Sequence, residues 1–354
     1  MTDVLEVRGA IRRPLESRSE PGWAELCDTL RDLLDGADPV QRVTALRPLK
    51  KKVYRLVLEP GAPWRSVVIK RLEPAVAQRN QLIAERWLPA LGLADRCARL
   101  LGVAADRAGH GVWHIYEDLG NGTLAARPDA DRVKATVDLI ADLHSSAAQH
   151  PILPDVRRYA VDLGMPYFAS NVGDAIAALD AFRARGIKTP AEHAGLPERL
   201  LERLHALLAD APRRAQVFGE AAGPETLLHG DLWTINAFVV AAAAGPQARL
   251  VDWDRAGVGP FSYDLSTFLF RFPPPERPGV IELYRGALAR AGWRLPSPSA
   301  LQVLCDTAER ARYANCVIWP ALALLRDDAA WGFPAIAEVE RWFQVLDSER
   351  PSPC

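Results

Sequence analysis

The stretch Leu228-His229-Gly230-Asp231-Leu232-Trp233-Thr234-Ile235-Asn236, with Asp252-Trp253-Asp254 sixteen residues beyond it, decides how the chain reads. An apolar run leads into a polar loop that holds Asp231. Asn236 opens a β-like run over Ala237–Val240, and Asp252 ends the next one, Arg249–Trp253. A hairpin of this kind can bring three oxygen-bearing side chains to one rim. Hard oxygen donors suit Mg²⁺, which keeps several waters and is shared with substrate phosphates. A carboxylate left off the metal can accept a proton from an attacking hydroxyl. A lone Asp in a loop can equally cap a turn, so the residues alone leave both uses open.

Working outward, Trp23 to Leu34 predicts an amphipathic helix behind a polar arm over residues 1–21. Val53–Leu58 and Ser66–Leu72 are β-like runs joined by Pro60-Gly61-Ala62-Pro63, which predicts an antiparallel hairpin. A helix is expected from Val76 to Leu91 and a strand over Gly111–Asp118. Beyond the loop Leu119-Gly120-Asn121-Gly122 the period turns helical, with Val133, Val137, Ile140, Leu143 and Ala147 on one face and Asp129 or Asp131 as cap. Another long helix is expected over Pro197–Leu208, and helices dominate from Tyr263 on. Gly257-Val258-Gly259 reads as a turn. The fold class is α+β, a small antiparallel β lobe before a larger, mainly helical one. The divisions expected are an arm and helix over 1–39, a first lobe over 40–118 and a second over 119–354.

Composition narrows the function. The 354 residues carry 43 Lys and Arg against 44 Asp and Glu, with 49% hydrophobic residues. A disordered chain would combine low hydrophobicity with high net charge, and a nucleic-acid binder would be strongly basic. Apolar runs such as Ala237–Ala244 fall far short of the roughly 18 residues of a membrane span, and no signal peptide is evident. Five cysteines without a C-x-x-C pair fit reduced thiols in a cytoplasm. The net charge of −1 is uneven. Residues 41–72 hold nine basic residues and one acid, so that window carries +8 and the remainder −9. Only six of the basic residues are Lys, and four of these lie between positions 50 and 70.

HGDLWTIN with the later VDWD resembles the catalytic motifs of the aminoglycoside phosphotransferase and choline kinase family, the small-molecule branch of the protein-kinase-like fold. The resemblance covers residues 40–270. It implies that Asp231 is the catalytic aspartate and that Asn236 and Asp252 are Mg²⁺ ligands. Val68-Ile69-Lys70 is similar to the family's strand bearing the phosphate-orienting lysine, and Glu85, fifteen residues on, falls where its glutamate partner is expected. Tyr116-Glu117-Asp118-Leu119 resembles the hinge that contacts adenine, and Lys52 lies in the turn over the phosphates. His229 is read as a residue that packs the loop, Asp254 as support or a strand end, and Asp264 as a brace beneath the catalytic loop.

Two departures matter. Arg47-Pro48-Leu49-Lys50-Lys51-Lys52 stands where many kinases place glycines, and Gly230 stands where protein kinases carry Arg, which removes the counter-charge for a phosphorylated activation segment. The resemblance therefore implies an O-phosphotransferase using ATP or GTP with Mg²⁺ on a small hydroxylated acceptor, first an aminoglycoside or related antibiotic. Amino-sugars, fructosamines and choline-like alcohols are alternatives, as is an inactive nucleotide-binding regulator. Asp327, Asp328, Glu338 and Glu340 are the acids offered for a cationic acceptor. No nucleic-acid or membrane partner is expected.

Overall fold

The structure, a computed structural model, describes residues 20–243 and 245–348. Residues 1–19 of the expected arm and Cys354 lie outside the described residues. Two compact units form, residues 20–139 with 234–255 and residues 140–233 with 256–348.

The first unit holds a five-stranded sheet of β1 (Val43–Lys50), β2 (Val53–Leu58), β3 (Ser66–Leu72), β4 (Leu100–Ala105) and β5 (Val112–Glu117). Their order is β1-β2-β3-β5-β4, every pair antiparallel. The expected hairpin is β2–β3, with Leu56 opposite Val67 and Tyr54 opposite Ile69. Strand side chains alternate between faces. Val67, Ile69, Trp113 and Ile115 are fully buried on one face, against Leu26 and Leu30 of α1 (Trp23–Leu33). Trp23 meets the edge of Trp113 at 5.3 Å, a favoured aromatic geometry. The same alternation sends Val68, Lys70, His114 and Tyr116 to the opposite face, where the site forms.

Pro at the first turn starts α2 (Pro74–Leu82), since its missing N–H costs nothing there. The helix runs on through a π-helical turn, Ile83–Trp87, into Leu88–Ala90. A second hairpin pairs Ala237–Ala242 with Gly245–Leu250, so the last strand ends earlier than expected and Trp253–Arg255 is a 3₁₀ turn. Asp129 caps α3 (Ala130–Ala147), its Oδ1 accepting from the Arg132 N–H at 3.1 Å.

The second unit is mainly helical: α4 (Leu153–Tyr159), α5 (Met165–Arg185), α6 (Leu196–Ala209), α7 (Ala211–Ala221), α8 (Ser262–Leu269), α9 (Arg277–Arg290), α10 (Pro298–Asp327) and α11 (Gly332–Ser348). Phe168, Val172, Leu200, Leu204, Val317, Ile336 and Phe343 form the centre of its core. Three short strands, Val161–Asp162, Thr226–Leu228 and Gly257–Gly259, make a small sheet. Gly257 thus lies in a strand rather than the expected turn. A Cβ there would stand 2.6 Å from the Val161 carbonyl oxygen, so only glycine permits this approach. Among the described residues no helix is long and apolar enough to cross a membrane.

Candidate active site

The free face of the sheet, α2 and the hairpin over 237–250 enclose a cavity of about 380 Å³ within the first unit. Its walls include Val53, Val68, Tyr116, Leu119, Phe238 and Leu250; Lys50, Lys70, Asn236 and Asp252 also line it. An apolar slot with two ammoniums and two oxygen donors suits a flat base joined to a polyphosphate.

Lys70 projects from β3 with its side chain 12% exposed, and its Nζ lies 2.5 Å from Asp252 Oδ1 and 2.6 Å from Asp254 Oδ1. Lys50, at the end of β1, takes the other Asp252 oxygen. Asp252 has a φ of 67°, a left-handed conformation that Asp tolerates better than most residues. Burial pushes the Asp252 carboxyl up, but Lys70 and Lys50 outweigh it and hold the group well below the usual carboxylate range. Asp254 is also bonded by Asn80 Nδ2 at 3.1 Å, and its backbone carbonyl accepts from Arg79 at 2.7 Å.

One expectation changes here. Glu85 does not pair with Lys70; it is exposed and its Oε2 accepts from Gln81 at 2.9 Å. The π-helical turn explains this, because it buries Ile83 and Trp87 and leaves the residue midway between them facing outward. Asn80, 5% exposed, occupies the inward stripe instead. Lys52 keeps its expected place in the turn, but its ammonium is directed away from those of Lys50 and Lys70. With a φ of 64° in the turn after β1, it points its ammonium at Glu73, 3.4 Å away. The lysine that does reach Asp252, Lys50, has only its place in a basic turn as a sequence signal.

At the expected hinge, Glu117 Oε1 accepts from the Arg99 backbone N–H at 2.8 Å and from Arg249 at 2.6 Å. Asp118 takes Arg55 Nε at 2.7 Å and the Ser66 hydroxyl at 2.7 Å. The Tyr116 hydroxyl meets His114 Nδ1 at 2.8 Å. Burial and then Lys70 lower the His114 pKa to about 4, which keeps the ring neutral.

Asp231 belongs to the second unit, in the loop after Thr226–Leu228. The loop is held from beneath by Asp264, whose carboxylate accepts the backbone N–H groups of His229 at 2.6 Å and Gly230 at 2.9 Å. Gly230 has a φ of 79°, which a side chain would strain. Asp264 is fully buried, with His144 at 3.4 Å. Burial raises its carboxyl pKa, but His144, His229 and the loop amides hold the group ionised. His229 is buried, and its Nδ1 accepts from the Asp231 N–H at 3.3 Å, so it shapes the loop from within. Asp231 itself is partly exposed.

The sequence reading missed a charged group beside this loop. Arg271 places its guanidinium 3.8 Å from the Trp233 ring centre. Glu309, fully buried, pairs with Arg312, and Arg312 lies close enough to Asp231 to feel its charge. These residues come from distant helices and follow no motif spacing.

The sequence model of the phosphotransferase enzyme family matches residues 50–298. No curated protein gives a significant match. Among solved structures, an ethanolamine kinase from Plasmodium vivax aligns with a TM-score of 0.60 at 11% identity, covering 93% of this chain and 89% of its own. A choline kinase from Streptococcus pneumoniae aligns at 0.56 and 12%, covering 91% and 98%. A spectinomycin phosphotransferase solved with ADP and spectinomycin aligns at 0.56 and 12%, covering 84% and 92%. At such identities the likeness establishes the protein-kinase-like fold, as expected from the motifs. The family match spans well over half of the sequence, and the chain belongs to the phosphotransferase enzyme family, as a small-molecule kinase whose acceptor is a hydroxyl group.

Proposed function

We propose that this enzyme moves the γ-phosphoryl group of ATP, or GTP, to an alcohol of a small molecule. The observation that carries the reading is the convergence of Lys50 and Lys70 on Asp252 in an otherwise largely apolar cavity. Adenine would rest near Tyr116–Leu119 and Lys70 would orient the phosphates. Among the described residues no group of three or more His, Cys, Asp or Glu side chains could hold a metal. The donors present, the Asn236 amide and the Asp252 carboxylate, nevertheless fit Mg²⁺, which needs few protein ligands when phosphates and water supply the rest. Asn236 and Asp252 would hold that ion, which when bound neutralises phosphate charge. Asp231 would orient the acceptor hydroxyl and take its proton as the new P–O bond forms. The bond from the γ-phosphorus to the bridging oxygen breaks, and ADP leaves.

An aminoglycoside or related antibiotic is the first acceptor class to test, which would make the enzyme a cytoplasmic resistance factor; amino-sugars, fructosamines and choline-like alcohols follow. The acids offered for a cationic acceptor are partly committed elsewhere. Glu340 takes Arg199 through both oxygens at 2.7 and 2.9 Å, and Glu338 takes Arg341 and the Trp342 indole N–H. The test is Asp231→Ala, assayed by ADP release over these acceptors. Turnover should fall about 10³-fold, while the thermal shift caused by ATP and Mg²⁺ persists. Wild-type turnover in that variant would remove Asp231 from the mechanism.

A further inference from the structure

Asp231 and Trp233 share one tight turn, in which the Trp233 N–H donates to the Asp231 carbonyl at 2.8 Å. Whatever lies on Trp233 therefore lies two residues from the proposed base. What lies there is a cation. Arg271, just past the end of α8, stacks its guanidinium on the Trp233 ring at 3.8 Å. The Arg271 side chain is only 20% exposed. Its Nε is buried with no hydrogen-bond partner among the described residues. Its ion-pair contact, Glu309, is 4.0 Å away, beyond hydrogen-bonding distance, and Glu309 already carries Arg312. Glu309 Oε1 thus takes Arg312, while its Oε2 is the oxygen nearest Arg271 and makes no hydrogen bond among the described residues.

A buried donor without a partner is costly, more so when it carries charge. Stacking on an indole compensates part of that cost and orients the guanidinium plane, but it uses the face and leaves the edge that carries Nε–H unmatched. That edge is the fork that receives a carboxylate or phosphate through two parallel hydrogen bonds. A polycation would meet like charge at the same place.

Resting on the kinase reading, though not on its aminoglycoside acceptor class, we infer that the acceptor carries an oxyanion, carboxylate or phosphate, beside the hydroxyl that is phosphorylated, and that Arg271 receives it. Arg271 is then a specificity-determining residue that also positions the acceptor relative to Asp231.

The test offers the full-length enzyme, with ATP and Mg²⁺, acceptors in matched sets: glycerol against glycerate, glucose against gluconate and glucose 6-phosphate, ethanolamine against serine, and kanamycin as the polycation. Wild-type kcat/KM should favour the oxyanion-bearing member by about tenfold or more, as expected of a charge-assisted pair. The gluconate and glucose 6-phosphate arms separate carboxylate from phosphate. Arg271→Gln should erase the preference chiefly through KM, and Arg271→Lys, which keeps charge but not the fork, should restore only part of it. Preference for a neutral or cationic acceptor overturns the inference.

A binding arm works without turnover. With Mg²⁺ and a non-hydrolysable ATP analogue saturating the nucleotide site, sodium sulfate is titrated at constant ionic strength. It should raise the Tm of the wild type by more than that of Arg271→Gln, whose shift measures the general stabilisation by sulfate, both proteins being checked for a native circular dichroism spectrum. Equal shifts in wild type and variant, or a shift with spermidine that Arg271→Gln enlarges, would sink the anion site. Failure of ATP and Mg²⁺ to shift the Tm counts against the kinase reading alone, because the sulfate response is read separately.

Discussion

In the first unit the acids Asp252 and Asp254 are answered by the ammonium groups of Lys50 and Lys70, at the wall of an open cavity. In the second, Asp264 is answered by backbone N–H groups and a histidine, with no exposure at all. The two arrangements suit different tasks. A lysine is a compact charge on a flexible stem, able to follow phosphates that arrive and leave. A carboxylate bonded to two consecutive amides fixes a loop, here the one that carries Asp231. Charge around Asp252 and Asp254 is exchangeable, and charge at Asp264 is scaffold.

That contrast can be broken most directly at Asp264. Asp264→Ala leaves two buried N–H groups without an acceptor and removes the negative partner of His144. A loss of about 3–5 kcal/mol in urea unfolding is expected, at roughly 1–3 kcal/mol for each buried donor left unpaired. Asp264→Asn, which keeps one good acceptor, should lose roughly half as much. A loss below about 1 kcal/mol for the alanine variant would mean that the loop holds itself without the carboxylate.

The lysines of the first unit should behave differently from Asp264 and from each other. Lys70 is 12% exposed and Lys50 58% exposed in their side chains. Solvent therefore screens the Lys50 pair far more. Lys70→Met should lower kcat/KM for ATP by about 10²-fold, as for loss of a preorganised charge at the phosphates. Lys50→Met should cost less than about tenfold, since an exposed pair contributes 1 kcal/mol or less. Neither change should unfold the protein, which melting curves without nucleotide would check. Equal kinetic losses would show that the turn bearing Lys50 is as fixed as β3.

How much of this was legible in the sequence follows the range of the interactions. The β2–β3 hairpin and β5 read clearly because Val67, Ile69, Trp113 and Ile115 alternate with cavity-facing residues. Strand β1 escaped notice because Pro48 and the lysines after it look like a loop, while its Val43 end packs in the core. Helix α5 escaped too: its buried positions Phe168, Asn171, Val172, Ala175, Ile176 and Leu179 keep the helical period, but the polar Asn171 inside the stripe and the exposed Ala169 and Ala177 outside it weaken the apolar contrast. Asp231, Asn236, Asp252 and Asp264 lie within 34 residues and keep motif spacing. Arg271 and Glu309 have no such spacing, and only the fold reveals Arg271 on Trp233 with Glu309 4.0 Å from its guanidinium.

Glu85 carries the smallest expected effect and the sharpest use of the comparison. Distance along the chain from Lys70 places it where a partner is expected, yet the helix phase decides otherwise. Trp87 and Ile83 are buried on one side, and a side chain at position 85 cannot share that side while both remain there. Glu85→Gln should therefore change kcat/KM by less than about twofold and stability by under about 0.5 kcal/mol, as for a surface site. The sensitive position is Asn80, whose amide reaches Asp254 from the inward stripe. Asn80→Ala removes that bond and one to the Val76 carbonyl at 2.9 Å, and about 1–3 kcal/mol of stability should go with them. If Glu85→Gln instead lowered nucleotide affinity as much as Lys70→Met, α2 would have to turn when nucleotide binds. The exchangeable character of the first unit would then extend from its lysines to the whole helix.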